Sequence, residues 1–488
     1  MIHLDPHIFR AYDIRGVVGT QITPEVCTAI GRAFGDELRT MYGIDHPKVA
    51  VGRDARTHGP MFEKAIIKGL VEAGCHVLKI GQTPSPLSYF TICNRHLDGS
   101  VQITASHNPK EDNGIKLQIR DAEAFAGEEL QKLYKKIVQS NHQSLITNHQ
   151  SPITNHKGSV EEIDAATPYL KYLHAMFPNT GKGLKVVIDT GNGVAGPLYK
   201  EAISATGAQV TGLYIEPNGE FPNHPADPSR HDTLKDLQAK VRAIGADIGL
   251  AFDGDGDRLG VVDETGTIRT SDEVLLLLSK DHLSRNPKAP IIFTVSNSGA
   301  LESQIPAWGG TPIMITVGHS FVEHAMREHG SKLGGEQSGH FFCGEDYYGF
   351  DDALVAALRV MMILSKVKSP ITNHPFDRLR VNQSPITLSS LMSEFPKVYQ
   401  CPELRPHCPD DRKAEIVDAM TVHFKKIYPV NDLDGARIDF GNGAWAGIRK
   451  SNTSPKLSIC MEARSEEKLK EVKNIVLKEL GNYPEVVL

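Results

Sequence analysis

No stretch of this sequence approaches the roughly 20 apolar residues that a bilayer-crossing helix needs, so a helical membrane protein is excluded. The opening residues, MIHLDPHIFRAYDIRG, lack the apolar segment and small-residue cleavage site of a secretory leader. The seven cysteines contain no CxxC pair and are odd in number; they read as reduced, mostly structural thiols of a cytoplasmic protein. Basic charge is not in excess either. The formal net charge is −6, which argues against a nucleic-acid polyanion as principal partner, although a local basic pocket for a small anionic substrate is compatible with that total. What is present is 40% hydrophobic and 23% charged content over 488 residues. That describes a soluble globular chain, too long for one core, with a prior of roughly three or four domains.

Strand-like and helix-like segments alternate for most of the length. KVAVGRD (48–54), MFEKAIIKGLVEAG, CHVLKIG and GSVQIT form a first round; KVVIDTGNGVAG (185–196) through ADIGLAFDG a second; DEVLLLLSKDHL, APIIFTVSNS, TPIMITVGHS and FVEHAMREHG a third. Short β-rich runs between helices of ten or more residues signal α/β units with largely parallel sheets. The C-terminal part differs: the strand-like GARIDF, AWAGIRK and KLSICMEA lie between two helical stretches, the pattern of a small α+β domain. The expected class is α/β, three related domains with mixed, largely parallel sheets plus a C-terminal α+β domain, with boundaries at 1–158, 159–262, 263–368 and 388–488. Two segments break the rhythm, SNHQSLITNHQSPITNHKGS (140–159) and SPITNHPFDRLRVNQSPIT (369–387). One isoleucine and a repeated proline per seven residues cannot make a coiled-coil seam. His142, His149 and His156 recur every seven residues, as a metal tract would, but nothing fixes their geometry. Both segments read as inserted, polar and poorly ordered, the first within 140–158 and the second as a linker at 369–387.

Five loops carry chemistry. TASHNP (104–109) holds Ser106 in a tight turn after an apolar run, which by itself is ordinary turn chemistry. FDGDGDR (252–258) sets Asp253, Asp255 and Asp257 at alternate positions, on one face of an extended segment that Gly254 and Gly256 allow to curl. Three converging carboxylates call for a hard cation, Mg²⁺ or Ca²⁺. An EF-hand is excluded because its sixth position would be Arg258 and LGVVDE reads as a strand. GNGVAG (191–196) matches the dinucleotide-binding spacing, with Glu216 placed 20 residues past Gly196, and makes a nicotinamide- or flavin-dependent oxidoreductase the rival from a different class; Pro197 and the lack of a second cofactor element count against it. GGEQSGH (334–340) offers Glu336, Ser338 and His340 for sugar hydroxyls. RKSNTSP (449–455) offers Arg449, Ser451, Asn452 and Thr453 for a phosphate.

Together with FRAYDIRG (9–16) and EPNGEFPNHPADP (216–228), these loops in this order resemble the α-D-phosphohexomutase superfamily, phosphomannomutase/phosphoglucomutase branch. The resemblance spans nearly the whole chain except the two inserted segments. It implies four domains arranged around a central cleft, a phosphorylated Ser106, and Mg²⁺ held by Asp253, Asp255 and Asp257 beside the phosphoserine. It further implies reversible phosphoryl transfer between the 1- and 6-positions of mannose or glucose phosphate through a hexose 1,6-bisphosphate. Arg258 and Lys116 would reach the same phosphoryl group; Arg15, Tyr12, His107, His319 and His340 are carried over as cleft residues, with Lys116 and His319 as proton handlers. Glu336 and Ser338 would hold ring hydroxyls, and RKSNTSP the non-reacting phosphate. On this reading the partner is a small hexose phosphate, with no nucleic acid and no membrane, and oligomeric state is not legible. Two departures bear on the sugar: no lysine stands near the start of TVSNSG (294–299), and Gln337 replaces the methionine common in this branch. That glutamine is familiar from the phosphoglucosamine mutase branch, which is the alternative.

Overall fold

A computed structural model describes residues 4–147, 158–368, 386–451 and 454–487. These form two compact units. The first comprises residues up to Arg269 together with 338–368 and 386–388; the second comprises 270–337 and the described residues from 389 onward. No helix among the described residues is long and apolar enough to cross a membrane.

The first unit contains two sheets. One runs in the order Ile14–Val17, Asp112–Ile119, Gly99–Ile103, Lys48–Arg53, His76–Gln82, Ser159–Glu162. Three of its five pairings are parallel, as βαβ units make them: Lys48–Arg53 is parallel to both of its neighbours and His76–Gln82 to Ser159–Glu162, whereas Asp112–Ile119 is antiparallel to the strands beside it. Gly99–Ile103 is buried at every position, the mark of a strand covered on both faces. The second sheet runs Ile268–Arg269, Leu259–Asp263, Ile248–Phe252, Lys185–Asp189, Gln209–Leu213. Leu259–Asp263 pairs antiparallel with Ile248–Phe252, so FDGDGDR is the turn of a hairpin and the expected strand after it is present.

In the second unit, Pro290–Thr294 lies between Thr311–Ile315 and Leu333–Gly335, parallel to both. The helix Ser271–Arg285 opens with a Thr270/Glu273 capping box and is buried along most of its length, as its run of leucines requires. The C-terminal sheet, in the order Tyr399–Leu404, Leu457–Ala463, Trp445–Lys450, Ala436–Asp439, Val430–Asn431, is antiparallel throughout. Its apolar face packs with helices Lys413–Lys425 and Glu466–Leu480 through Met420, Phe424, Ile448, Ile459, Val472 and Val476. Each fully buried side chain of this kind contributes roughly 1.5–3 kcal/mol.

Two expectations shift. The helix Glu128–Thr147 continues into the segment read as poorly ordered; SNHQSLIT contains no proline or glycine to stop it. Residues 148–157 and 369–385, which hold His149, His156 and the second repeat, lie outside the described residues. Ser159–Glu162 completes the first sheet, one strand beyond the expected boundary at 158. Residues 338–368 pack with the first unit, where Ala353–Lys368 lies on Leu259–Asp263 and Tyr169 Oη donates to Asp352 Oδ2 at 2.8 Å.

Candidate active site

In open α/β sheets, ligand sites form beyond the carboxyl ends of the strands. Three neighbouring strands of the first sheet deliver Asp54 and Arg56, Ser85, and Ser106 to that edge: Lys48–Arg53, His76–Gln82 and Gly99–Ile103 end immediately before them. Ser106 itself takes a left-handed backbone conformation, φ 50°, which residues with a Cβ rarely adopt. It is 2% exposed. Its Oγ donates to Asp253 Oδ2 at 2.6 Å and lies 3.0 Å from His107 Nδ1.

The second sheet brings the carboxylates. Asp253 follows Ile248–Phe252 and uses its Oδ1 to cap the backbone N–H groups of Asp257 and Arg258, at 3.0 and 3.1 Å. This closes the hairpin turn and turns the remaining oxygens inward. Each of Asp253, Asp255 and Asp257 is buried, and one carboxylate oxygen from each lies within 4.8 Å of the others. Lys116, on Asp112–Ile119, reaches Asp255 Oδ2 at 2.8 Å and Asp257 Oδ2 at 2.5 Å. Ser85 Oγ donates to Asp255 Oδ2 at 2.6 Å, while Asp255 Oδ1 is buried without a hydrogen-bond partner.

Charge explains the titration of the group. Burial, then the charges of Asp257 and Asp255, pushes Asp253 well above the usual carboxylate range. Burial acts the same way on Asp257, but Lys116 and His340 outweigh it and hold that carboxyl well below the range. Lys116 is raised well above the ordinary lysine value because Asp255 and Asp257 overcome its burial. Three carboxylates against one ammonium leave negative charge in a buried site. With the orphaned Asp255 oxygen, that set fits a hard divalent cation.

Around the triad stand the other cations. Arg15 donates through Nε to Asp13 Oδ2 at 2.6 Å and through NH1 to Ala105 O and Asn108 Oδ1, both at 3.2 Å. It therefore braces the serine turn. Arg258 Nε approaches His340 Nε2 at 3.4 Å, and His340 Nε2 lies 3.3 Å from Asp257 Oδ1 and 3.8 Å from Asp351 Oδ2. Ser338 Oγ meets His340 Nδ1 at 3.0 Å. Burial and the Asp257 charge push Asp351 up to about 7. Tyr12 precedes the strand that carries Arg15 and is half-buried.

The remaining expected residues belong to the second unit. Glu336 Oε1 accepts from Gly318 N at 2.8 Å, and His319 opens the helix His319–His329. Gln337 Oε1 accepts the thiol of Cys460 at 3.1 Å. Arg449 ends near the close of Trp445–Lys450 with Nε buried and without a hydrogen-bond partner. Ser451 Oγ lies 2.9 Å from Ser454 Oγ, and its carbonyl accepts from Lys413 Nζ at 2.8 Å. Asn452 and Thr453 lie outside the described residues.

The backbone of GNGVAG tells against the rival dinucleotide reading. A pyrophosphate needs free backbone N–H groups at such a loop. Here Gly191 N donates to Asp189 Oδ1, Asn192 N to Tyr214 O, Gly193 N to Thr190 O and Val194 N to Gly254 O. A Cβ on Gly196 would stand 1.8 Å from Ile215 O, so that glycine answers packing within the domain. The sequence reading missed Asp54, Arg56, Ser85, Thr104 and Asp351. For the first four, position at a strand's carboxyl end was the signal available.

The chain matches sequence models of all four domains of phosphoglucomutase/phosphomannomutase: alpha/beta/alpha domain I over residues 6–144, domain II over 167–266, domain III over 270–379 and the C-terminal domain over 403–479. It is 40% identical over 478 residues to the phosphomannomutase/phosphoglucomutase of Pseudomonas aeruginosa, covering 98% of this chain and 96% of the relative. Identity to the phosphoglucomutase of Neisseria gonorrhoeae is 34% over 479 residues, with 97% and 96% covered. The crystal structure of a phosphoglucomutase/phosphomannomutase family protein from Burkholderia thailandensis matches with a TM-score of 0.86 and 34% identity, covering 100% of both chains.

Proposed function

Since the chain belongs to the phosphoglucomutase/phosphomannomutase family, isomerases of hexose phosphates, we propose that it moves a phosphoryl group between the 1- and 6-positions through a phosphoserine at Ser106. The observation that carries this reading is the Ser106 Oγ at 2.6 Å from Asp253, in a turn held against three buried carboxylates. Mg²⁺ held by Asp253, Asp255 and Asp257 would act as a Lewis acid, offsetting charge on the transferring group.

A sugar hydroxyl gives its proton to a base and attacks phosphorus, the bond from phosphorus to Ser106 Oγ breaks with its electron pair going to Oγ, and Oγ takes up a proton to become the serine hydroxyl. The resulting hexose 1,6-bisphosphate returns its other phosphoryl group to Ser106 after reorienting, which restores the phosphoserine. Arg15 and Arg258 are fixed positive charges for the phosphoryl oxygens. Lys116, 2.8 Å from Asp255 Oδ2 and 2.5 Å from Asp257 Oδ2, is assigned as a third such cation and, with His319, as a proton handler. His319, the first residue of the helix His319–His329, is assigned a part in the proton transfer, while His107 and His340 orient groups around the serine and Asp257. Glu336 and Ser338 are assigned to ring hydroxyls, and Tyr12 is assigned as a further substrate contact. Arg449, whose Nε is a buried donor in want of an acceptor, is assigned with Ser451, Asn452 and Thr453 to the non-reacting phosphate.

Glu336 and Ser338 would contact hydroxyls arranged alike in glucose and mannose, and a site that ignores a difference cannot discriminate by it. Gln337, the residue that suggested an amino sugar, is engaged by Cys460. Glucose 1-phosphate and mannose 1-phosphate should therefore show kcat/KM within roughly tenfold, or about 1.4 kcal/mol, with glucosamine 1-phosphate poorer. Intact-mass measurement and peptide mapping should find a phosphoryl group on Ser106, and Ser106→Ala should lose both it and the activity. Full activity in that variant would reject the phosphoserine; a clear preference for the amino sugar would reassign the substrate to the phosphoglucosamine class.

A further inference from the structure

The guanidinium of Arg56 is completely buried and completely engaged. Its Nε donates to Asp54 Oδ2 at 3.2 Å; NH1 donates to Pro109 O at 2.6 Å and Asp112 O at 2.8 Å; NH2 donates to Ser106 O at 2.9 Å and Asn108 O at 2.6 Å. An arginine side chain carries five N–H bonds, and all five are accounted for. Four of the five acceptors are backbone carbonyls of residues 106–112. No donor is left over for substrate, which separates Arg56 from Arg15 and Arg258.

The other side of Ser106 is held by the same pair. Ser106 N donates to Thr104 Oγ1 at 2.8 Å, and Thr104 Oγ1 donates to Asp54 Oδ2 at 2.7 Å. Asp54 Oδ1 in turn accepts from Arg56 N at 2.9 Å. Both the amide and the carbonyl of the residue at φ 50° are thus tied to Asp54 and Arg56. A non-glycine residue persists in that region only where its surroundings over-determine it. Phe221 closes over the guanidinium, 5.5 Å from ring centroid to carbon. The carboxylate of Asp54 balances the charge of Arg56, so the pair supplies geometry and little net field.

We propose that Arg56 is a positioning residue for phosphoryl transfer: with Asp54 and Thr104 it holds the Ser106 turn in the strained conformation that aims Oγ at the carboxylate triad. This rests on the reading of Ser106 as the phosphoserine. A lysine preserves the charge but presents three donors from one atom, which cannot span four carbonyls and a carboxylate. The clamp acts on the reacting atom and leaves the sugar contacts alone. It therefore moves kcat and spares KM, and a misplacement of about 1 Å is worth about 100-fold.

The experiment compares wild type, Arg56→Lys, Thr104→Val and Thr104→Ser, each corrected for folded fraction by circular dichroism, with glucose 1-phosphate as substrate. Expected is a fall in kcat of about 100-fold in Arg56→Lys with KM within about threefold. A kcat within threefold of wild type overturns the proposal. So does a loss that merely tracks the folded fraction, or one in which KM rises as much as kcat falls. If Arg56→Lys does not fold, the threonine pair decides. A drop of about tenfold or more in kcat for Thr104→Val, restored in Thr104→Ser, supports the clamp, and unchanged kcat in Thr104→Val overturns it. Wild type is mapped for phosphate first. A Ser106 that never carries it would overturn the phosphoserine itself and this inference with it, a result distinct from wild-type turnover in Arg56→Lys.

Discussion

Gly254 sits between the metal loop and the serine turn, and adding one methyl group there tests how closely the two must approach. A Cβ built on Gly254 would lie 2.5 Å from the carbonyl oxygen of Ser106, where ordinary contacts begin at 3.4 Å. Something must then move by roughly 0.5–0.9 Å. Neither side yields easily. The carbonyl is held by Arg56 at 2.9 Å, while Gly254 donates to Ala226 O and accepts from Val194 N, both at 3.1 Å. Overpacking of this kind costs about 1–3 kcal/mol. The displacement also falls on the separation between Ser106 Oγ and the triad, where about 1 Å is worth about 100-fold, or ~2.7 kcal/mol of barrier. Gly254→Ala should therefore lower kcat by about 30- to 100-fold while shifting Tm by only a few degrees. Turnover is read by coupling glucose 6-phosphate formation to dehydrogenase reduction of NADP, beside Gly481→Ala as a control whose Cβ would come no closer than 3.4 Å to any neighbour. A Gly254→Ala enzyme with kcat within threefold of wild type and an unchanged Tm would refute the reasoning: the close approach would then be incidental.

Lys116→Met removes the cation between two buried carboxylates, a change worth about 3–5 kcal/mol when a buried partner is left unpaired. Its Tm should fall, and added Mg²⁺ should raise Tm more in the variant than in wild type; equal Mg²⁺ responses would show that Lys116 and the ion do not share the same charge. His224, half-buried with Nε2 3.2 Å from Asp189 Oδ2, is raised above the ordinary histidine value: burial opposes its charge, but the bond to Asp189 and the carboxylate's field outweigh that. A raised folded value means that the stabilisation is present below the unfolded value of about 6.5 and is lost as pH rises through the folded one. Urea unfolding between about pH 6 and pH 8.5 should show wild type losing more stability than His224→Gln, and identical slopes would count against the pair.

The metal loop was legible because alternation of Asp253, Asp255 and Asp257 along an extended segment is a local property, and the strand preceding it was a clear apolar run. Ser106 was legible only through resemblance, since the same residues serve in ordinary turns and its positive φ is set by partners 50 residues away in sequence. Arg56 and Asp54 stayed hidden for the opposite reason. A charged pair after a strand normally reads as solvated, and burial of both depends on the serine loop folding over them. GNGVAG supported a rival reading because spacing says nothing about where the amide protons go; they go to Asp189, Tyr214, Thr190 and Gly254. Gln337 was read as a possible reader of substrate because its partner, Cys460, comes from a strand 123 positions later.

The first unit is interrupted in sequence. It runs to Arg269, leaves, and resumes at Ser338, so His340 and Asp351 join Asp257 from beyond the gap. During synthesis this imposes an order of events. All three aspartates, Lys116 and Ser106 have been made before the ribosome begins the intervening stretch, yet His340 cannot reach Asp257 until roughly 70 further residues have been added. At about 5–20 residues per second that is a wait of roughly 4–14 s. Throughout it the nascent metal loop lacks its histidine, and the face of Leu259–Asp263 that Ala353–Lys368 will cover stays open. A chain released early within this interval would carry the serine, the carboxylates and their lysine counter-charge, but an unfinished wall around them.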